Sequence, residues 1–598
     1  MAKKEIIFDP ITRIEGHMGV QVVIDEDSRR VTDGHSYGTM FRGYEIILEG
    51  RDPPDSIFIT QRICGVCPVP HAFSSAMAND MALGVQPPPL ATAIRDLTDC
   101  AELLYDHPIH LFQLAGPEYS EQLVKKFNPS WIEKAKEFRC EYTDIHGYSK
   151  IYELIKAMNP LSGELYLYTL KLEREARKLA SLLGAKHPHI NTFVPGGVSR
   201  TWGVPETEKA LSLVFALAGF SKLVVSVWED ISKFLYEEIG YEKVGLRVAN
   251  LLSFGTIDDP ETYNAKYEDM SEWGLKRSYS PGVIHEGRLI TTDLKEINRG
   301  VREYVTHGYY EEWEPRGLVD PEGRPLPREH PWNKKTAPKP LPRNWNGKYS
   351  WGTEPRWFDR ERNESYVLEV GPIARLYASA LLGKAHIESP WAEVKTGNSR
   401  IKISFPKTKS ELLKPSLFDE IEFEWKIPEI RTDGNVPAVN TIERNRARAY
   451  SHAYYAAAAF SSIDRILNYI GKGDVELWRP FKRPMKSLGA GLHEAARGAL
   501  GHWLSVRDGK IDGYQIITPT TWNISPRDKF GRPGPMEESI INTPITEEGN
   551  SEDWVGIDVL RIVRSYDPCL ACTVHMLSLI HISEPTRLGM ISYAVFCL

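Results

Sequence analysis

The chain lacks the features of a disulfide-stabilised secreted protein. Its 598 residues contain only seven cysteines, too few for a disulfide framework, which is typical of short, cysteine-dense chains. The N-terminal segment MAKKEIIFDP has two lysines but no apolar run behind them, so we predict no signal peptide. An excess of positive charge is also missing, because 73 basic and 80 acidic residues give a net charge of −7. This balance argues against a nucleic-acid partner.

Long uninterrupted hydrophobic runs are scarce. The best candidate for a membrane span, residues 210–228, is interrupted by Lys222 and diluted by Ser212, Ser221 and Ser226. A charged residue near the centre of a bilayer is costly, so we predict a buried core helix here. Any membrane association is therefore expected to come through partner proteins.

Most of the secondary-structure patterns in the sequence are helical. Residues 165–183 have apolar side chains at helical spacing, and the pattern stops at Gly184, which predicts a helix end. A second long helix is predicted to begin at Asn440, with Glu443 as its capping-box partner, and to run to Gly471.

Strand patterns lie around this helical body. Residues 5–60 have the partial alternation and turn residues of a β-rich segment, and 401–405 and 420–425 also predict strands. Residues 311–345 are rich in Pro, Arg and Trp and predict an ordered surface loop. We expect a mainly α fold with peripheral β elements (α+β), forming one domain over residues 1–575.

Two CxxC motifs at opposite ends of the chain point to metal chemistry: RICGVCPVPH at 62–71 and DPCLACTVH at 567–575. Their cysteines are Cys64, Cys67, Cys569 and Cys572. Two intervening residues let the backbone turn back, so that both sulfurs bind one metal. Four thiolates select zinc, an iron–sulfur cluster, copper(I) or nickel. Structural zinc motifs bring their pairs together within a few tens of residues, whereas about 500 residues separate these two. The spacing favours a buried redox metal.

These motifs resemble the two end signatures of nickel–iron hydrogenase large subunits, and the resemblance extends along nearly the whole chain. Further matching segments are DPITRIEGH (9–17), FRGYEIILEGRDPPD (41–55), DHPIH (106–110), HPHINTFVPGGV (187–198), YSWGTEPRW (349–357), LEVGPIAR (368–375), EAARGALGHW (494–503) and PTTWNISPRD (519–528). The resemblance implies the large-subunit fold of that family, in which both CxxC motifs meet at a buried metal site. It also implies the reaction H₂ ⇌ 2H⁺ + 2e⁻.

The resemblance further implies how the four cysteines are used. Cys64 and Cys569 would be terminal ligands of nickel, and Cys67 and Cys572 would bridge nickel to an iron that carries carbon monoxide and cyanide. Soft thiolates suit a nickel ion that changes its redox state.

Charged residues around such a centre are also implied by the resemblance. Glu15 matches a glutamate that hydrogen-bonds a terminal cysteine and passes protons out; the alternative is a salt-bridge partner for Arg13. Arg497 matches an arginine suspended over the open side of the bimetallic site, as a base or a positioning group. Asp106 and Asp567 match the carboxylates that hold it, since a buried guanidinium is tolerated only when paired.

Four other positions match neighbours of the centre. Thr520 matches a hydroxyl that hydrogen-bonds a cyanide, and Ala496 stands where the family usually has proline, which alters the geometry against the iron ligands. Glu45, His575 and the Ile516 carbonyl match a secondary site for magnesium (or iron), a cation that prefers oxygen ligands.

Too few cysteines remain for an iron–sulfur cluster within this chain. Cys100 and Cys140 lack a CxxC partner, and we interpret Cys100 as buried packing. The resemblance therefore implies an iron–sulfur small subunit, with H₂ as substrate, uptake as the direction, and nickel-insertion chaperones and a maturation protease as transient partners. Two other functions stay open: a hydrogen sensor that signals to a kinase, and a metal-free relative in a respiratory complex, against which the four cysteines argue.

The segment after His575, MLSLIHISEPTRLGMISYAVFCL, has no resemblance to the family. Residues 577–587 match the translation of the transposon-end adapter of a common short-read sequencing library, and residues 591–598 match its outer adapter. We therefore interpret residues 576–598 as a non-native tail, and Cys597 as a thiol that the native protein lacks.

A chain that ends at His575 tests this interpretation. We expect its free energy of unfolding to agree with that of the full-length chain within about 0.5 kcal/mol, because an adapter was never selected to pack. Urea unfolding followed by tryptophan fluorescence measures the difference. A large loss of stability on removing residues 576–598 would show that the tail is genuine.

Overall fold

Helices form the body of the protein, which is seen in a computed structural model describing residues 3–384, 386–573 and 576–577. The α-helices are α1 Tyr44–Leu48, α2 Asp55–Gln61, α3 Pro68–Leu83, α4 Pro89–Pro108, α5 Glu121–Phe127, α6 Pro129–Glu137, α7 Thr143–His146, α8 Ile151–Ala157, α9 Glu164–Gly184, α10 Val204–Phe234, α11 Met270–Leu275, α12 Leu294–Gly300, α13 Pro372–Leu382, α14 Thr441–Lys472, α15 Pro519–Asn523, α16 Pro535–Ile540, α17 Ile557–Ser565 and α18 Leu570–Thr573. Short π- or 3₁₀-helical turns lie at Ile109–Leu114, Gly116–Tyr119, Leu235–Ile239, Tyr241–Lys243, Pro331–Asn333, Pro415–Leu417 and Ser551–Asp553.

Small antiparallel sheets surround these helices. The strands are β1 Lys3–Phe8, β2 Met18–Asp25, β3 Arg30–Gly38, β4 Arg42–Gly43, β5 Phe193–Val194, β6 Gly197–Val198, β7 Arg247–Val248, β8 Leu251–Ser253, β9 Gly282–His285, β10 Arg288–Thr291, β11 Val301–Tyr304, β12 Glu354–Asp359, β13 Glu364–Tyr366, β14 His386–Ser389, β15 Ala392–Gly397, β16 Arg400–Phe405, β17 Ile421–Lys426, β18 Ala438–Val439, β19 Lys486–Ala495, β20 Gly498–Arg507, β21 Lys510–Ile517 and β22 Met576–Leu577. The main sheets have the strand orders β1-β2-β3, β14-β15-β16-β17 and β19-β20-β21. The expected mainly α fold with peripheral β elements is confirmed.

The long helices α4, α9, α10 and α14 pack against one another and form the core. Helix α14 begins as predicted, because the side chain of Asn440 accepts a hydrogen bond from the backbone N–H of Glu443 at 2.9 Å. It ends at Lys472, where Gly473 takes up a left-handed conformation with φ of 83°. The predicted end at Gly471 was therefore one residue short.

The helix predicted over residues 210–228 lies within α10. Together with its continuation to Ile239, this helix is long and apolar enough to cross a membrane, yet 78% of its most apolar window is buried inside the protein. Lys222 is buried as well and donates hydrogen bonds to Thr408 and to the Leu417 carbonyl. This burial agrees with a core helix.

Two sequence predictions were wrong in part. The β-rich segment predicted over residues 5–60 ends at Gly43, and the rest contains α1 and α2, because a short apolar run is compatible with a helix or a strand. Within the surface loop predicted over residues 311–345, most residues from 330 to 336 are buried in the interior. There the Trp332 indole donates hydrogen bonds to the carbonyls of Gly489 and Leu504, and the buried ring stabilises this path.

Close packing of α3 against β19 positions the two ends of the chain. A Cβ atom at Gly489 would lie 1.9 Å from the Ala78 carbonyl oxygen, and one at Gly491 would lie 1.8 Å from that of Ser74. Only glycine permits this approach of strand to helix. At the far end of the chain, β22 pairs antiparallel with β4, and His575 lies outside the described residues.

Candidate metal centre

Local structure at each CxxC motif brings its two cysteines together. Cys64 follows α2, and Cys67 is the N-cap residue of α3, where Pro68 suits the first helical position. Cys569 precedes α18, and Cys572 lies within that helix. The loop between Cys64 and α3 wraps around the Cys64 sulfur, which accepts the N–H groups of Val66 at 3.3 Å and Cys67 at 3.4 Å.

The four sulfurs meet in one buried cluster. All four lie within 4.8 Å of one another, and the Sγ–Sγ distances are 2.9 Å for Cys569–Cys572, 3.1 Å for Cys67–Cys572, 3.4 Å for Cys64–Cys569 and 4.0 Å for Cys67–Cys569. None of the four forms a disulfide within the described residues. Two sulfurs bound to one ion at about 2.3 Å lie at most about 4.6 Å apart, and these four distances satisfy that limit. The donor set therefore fits a soft or borderline metal ion.

The segment around Glu15 joins the two ends of the chain. It forms a parallel bridge with Cys569, and Oε2 of Glu15 accepts hydrogen bonds from the Cys569 thiol at 3.1 Å and the Ala571 N–H at 2.9 Å. Gly16 has φ of +79°, and a Cβ there would lie 2.8 Å from the Ala571 nitrogen. Burial raises the pKa of Glu15 to about 7. The structure thus brings this carboxyl to the sulfur cluster.

Arg497 lies in the tight turn between β19 and β20, which pair from Ala495 opposite Gly498 outward. Its guanidinium donates at 3.0 Å to Oδ2 of Asp106 and at 3.0 Å to Oδ1 of Asp567. These residues are buried, and such charges are tolerable only as pairs.

The two carboxylates of this group differ in their pKa. Burial raises the pKa of Asp106 to about 6. For Asp567 the effect of burial is outweighed only by the combined effects of Arg497, His110 and Arg448, which leave its pKa lowered. A second guanidinium, that of Arg448, lies 3.1 Å from Oδ2 of Asp567. Sequence reasoning missed Arg448, because nothing in the spacing of α14 distinguishes it from a solvent-exposed arginine.

Thr520 and Ala496 also lie in this region. The Thr520 hydroxyl accepts the backbone N–H of Cys569 at 2.9 Å, so it is next to a sulfur ligand. Ala496 is buried, and its carbonyl accepts a hydrogen bond from Arg448 at 3.1 Å.

Comparison with known proteins yields one family. The family model described as nickel-dependent hydrogenase matches residues 42–137 and 137–575. The chain belongs to the nickel-dependent hydrogenase family. It is 30% identical over 651 residues to the uptake hydrogenase large subunit of Rhodobacter capsulatus, with 96% of each chain covered. Its structure is similar to the actinobacterial-type NiFe-hydrogenase from Ralstonia eutropha H16, with a TM-score of 0.91, 41% identity, and 96% and 100% of the two chains covered. It is therefore a hydrogenase large subunit, an oxidoreductase.

The structure describes two of the three residues predicted for a secondary cation site. Oε1 of Glu45 accepts the Ile516 N–H at 3.1 Å, so these two residues are in direct contact. The buried Lys334 ammonium bonds Glu303 at 2.7 Å close by. His575, the third expected ligand, lies outside the described residues.

A buried relay next to the sulfur cluster was missed by the sequence analysis. Nε2 of His71 lies 3.5 Å from the Cys572 sulfur, and its Nδ1 lies 3.1 Å from Nε2 of His502. Nδ1 of His502 lies in turn 2.9 Å from the Tyr514 hydroxyl. His71 belongs to the CxxC motif of this hydrogenase, but His502 is distant in sequence, so only the fold pairs them.

A second set of ligand-type side chains does not fit a metal ion. Cys140, His146 and Asp230 are buried together. However, Nδ1 of His146 accepts the Tyr148 N–H, and its Nε2 bonds Asp230 at 2.8 Å. Both ring nitrogens are thus used, and burial raises the pKa of the Cys140 thiol to about 12. We interpret this group as structural.

Proposed function

We propose that this chain is the catalytic subunit of an uptake hydrogenase, oxidising H₂ to protons and electrons at a nickel–iron centre held by its four CxxC cysteines. The observation that carries the proposal is the buried four-sulfur cluster with a carboxyl on one side and a paired guanidinium nearby. When bound, the centre, with iron carrying carbon monoxide and cyanide, would supply the redox and Lewis-acid chemistry that splits H₂.

The role of Glu15 follows from its position. A carboxyl within 3.1 Å of the Cys569 sulfur accepts a proton from that sulfur without any rearrangement. The Ala571 N–H fixes the same oxygen at 2.9 Å, so the carboxyl is held ready. We assign Glu15 as the first proton acceptor beyond the cysteines.

Arg497 has an electrostatic and positioning role in this proposal. Its carboxylate partners hold the planar guanidinium at two of its nitrogens, which fixes its direction as well as its charge. A fixed cation in a dry site stabilises negative charge that develops beside it. Thr520 would hydrogen-bond a cyanide ligand of the iron and so orient it. The carbonyl of Ala496, the residue that stands where the family usually has proline, accepts a hydrogen bond from Arg448.

The partner proteins and the direction of the reaction also belong to the proposed function. Because the chain has too few cysteines for a cluster of its own, electrons would leave through an iron–sulfur small subunit. The relative from Rhodobacter capsulatus is named an uptake hydrogenase large subunit, which supports H₂ oxidation as the direction. Nickel-insertion chaperones and a maturation protease would load and finish the centre. Magnesium (or iron) would bind between Glu45, the Ile516 carbonyl and His575, where oxygen donors suit a hard cation.

Metal content tests the proposal. Purified mature protein is expected to hold nickel and iron in a ratio of about one to one, because four soft thiolates converge. Elemental analysis gives the ratio, and infrared spectroscopy should show bands of iron-bound CO and CN⁻. Stoichiometric zinc without those bands would contradict the assignment, and a chain with Cys67→Ser serves as the control that loses the bands.

A further inference from the structure

Helix α4 carries a row of buried acids that leads away from the metal centre. Asp96, Asp99 and Glu102 lie three residues apart, and Asp106 follows one turn further on. Residues three or four apart are neighbours on a helix surface, with Cβ atoms about 5–6 Å apart. All four are at most 1% exposed. We call Asp96, Asp99 and Glu102 the α4 acids.

The α4 acids are poorly satisfied by their surroundings. Among the residues that the structure describes, neither carboxyl oxygen of Asp96 makes a hydrogen bond of good geometry, although the Asp258 backbone N–H approaches it, and Oε1 of Glu102 has no partner. Oε2 of Glu102 accepts the Val69 N–H at 2.8 Å. Asp99 lies 3.1 Å from Nε2 of His493 but without hydrogen-bond geometry. Native proteins leave few buried polar groups without a hydrogen-bond partner, so each such group needs a physical explanation.

Burial disfavours the ionised form of a carboxyl. Burial raises the pKa of Asp96 well above its usual range, and the charge of Asp258 raises it further. Burial likewise raises the pKa of Glu102 well above its usual range. Both shifts favour the protonated form, and a protonated carboxyl both donates and accepts a hydrogen bond. That is the property a proton-relay group needs.

The far end of the row reaches the surface. Asp96 lies close to Asp258, whose carboxylate accepts the Arg277 Nε–H at 2.8 Å. The Asp258 carbonyl accepts a hydrogen bond from Arg465, and Arg465 lies 4.0 Å from Asp259, with side chains 33% and 26% exposed. From Asp106 to Asp96 the helix rises about 15 Å, which carries the row away from Arg497 and towards Asp258.

We propose that Asp106, Glu102, Asp99 and Asp96 form a second proton route from the metal centre to the surface at Asp258 and Asp259. The inference rests on the proposed function. A protonated carboxyl in the row passes its proton outward and receives another from the side of the centre, whereas an ionised one first accepts a proton and then passes it on, so each regains its starting charge over a full transfer. In this route, water molecules would bridge the carboxyls on successive turns. The protons come from H₂, and its two electrons leave through the small subunit.

A double substitution tests the route. In a Glu15→Gln background, Glu102→Gln is expected to lower the residual H₂/D₂O exchange about tenfold or more, since a positioned proton-transfer group typically contributes about 10²–10⁴-fold to a reaction rate. Glutamine keeps the shape and still accepts the Val69 N–H. Mass spectrometry measures HD and D₂ formation, and Glu102→Asp in the same background should restore part of the exchange.

The matched control is Glu537→Gln in the same background. Glu537 is also buried, accepts a backbone N–H from Ser36 at 3.0 Å, and has its pKa raised by burial to about 7, but it lies off the row. It should leave the residual exchange unchanged. A second readout needs no turnover: Glu102→Gln and Asp96→Asn should each remove an infrared carbonyl band of a protonated carboxylic acid.

The outcomes separate the two proposals. Missing CO and CN⁻ bands in the unmodified protein would overturn the proposed function. With those bands present, residual exchange unaffected by Glu102→Gln, or lowered by it but unaffected by Asp99→Asn and Asp96→Asn, would overturn the route. Equal losses from all three variants would support it, and Asp99→Asn and Asp96→Asn decide the question if the Glu102 variant does not fold.

Discussion

Replacing Glu15 by glutamine is expected to lower H₂/D₂O exchange and H₂ oxidation by about 100-fold or more, with near-normal nickel and iron content. Glutamine keeps the length of the side chain, and its carbonyl still accepts the Ala571 N–H that now holds Oε2 at 2.9 Å. It cannot take the proton of the Cys569 sulfur. Mass-spectrometric isotope exchange and dye-coupled H₂ oxidation measure the two rates.

The control for this substitution is Glu15→Asp. Aspartate carries a proton but is one methylene shorter, so exchange should recover in part relative to Glu15→Gln. Infrared bands of the metal centre should change little in both variants. If exchange in Glu15→Gln equals that of the unmodified protein, protons leave by another route and the role assigned to Glu15 is wrong.

Replacing Arg497 by lysine is expected to lower turnover by about 10²–10³-fold while the metal centre still assembles. Lysine keeps the positive charge but loses the planar fork, so it cannot bond Asp106 and Asp567 together as the guanidinium does at 3.0 Å to each. Turnover is measured by H₂ oxidation, and assembly by the CO and CN⁻ bands and the nickel content.

Arg448→Lys provides the matched control. Arg448 is a second buried arginine that contacts Asp567, at 3.1 Å, so this variant perturbs the same ion-pair group from the other side. We expect a smaller loss of turnover than for Arg497→Lys. Wild-type turnover in Arg497→Lys would show that the arginine is structural and that the group acts only in packing.

Local sequence patterns were sufficient to predict the elements that depend on interactions between residues close in sequence. The Asn440 cap and the apolar spacing after it predicted α14, because a capping side chain and a helical face involve residues only a few positions apart. The two CxxC motifs predicted a shared metal site, since four thiolates in a chain with so few cysteines have few other uses. Glu15 and Arg497 were found by resemblance, not by spacing.

Other structural features depend on contacts between segments that are distant in sequence. The apolar residues of 44–60 became α1, which packs against β21, and α2, which packs against α3. Trp332 turned inward because carbonyls of β19 and β20 accept its indole N–H. The relay from His71 to His502 joins residues 431 positions apart. No local pattern contains such a pair, so no local pattern could predict it.

The α4 acids show most clearly the difference between what local sequence patterns predict and what tertiary packing decides. The sequence RDLTDCAELLYD has acids at helical spacing, a pattern that by itself is typical of a solvent-exposed helix face. The helix was determined by the sequence, but tertiary packing buried that face, with Val69 of α3 beside Glu102 and His493 of β19 beside Asp99. Helix formation depends on neighbours along the chain, whereas burial depends on which surfaces the fold brings together. Burial in turn decides whether a carboxyl is a solvated charge or a neutral acid beside a metal centre.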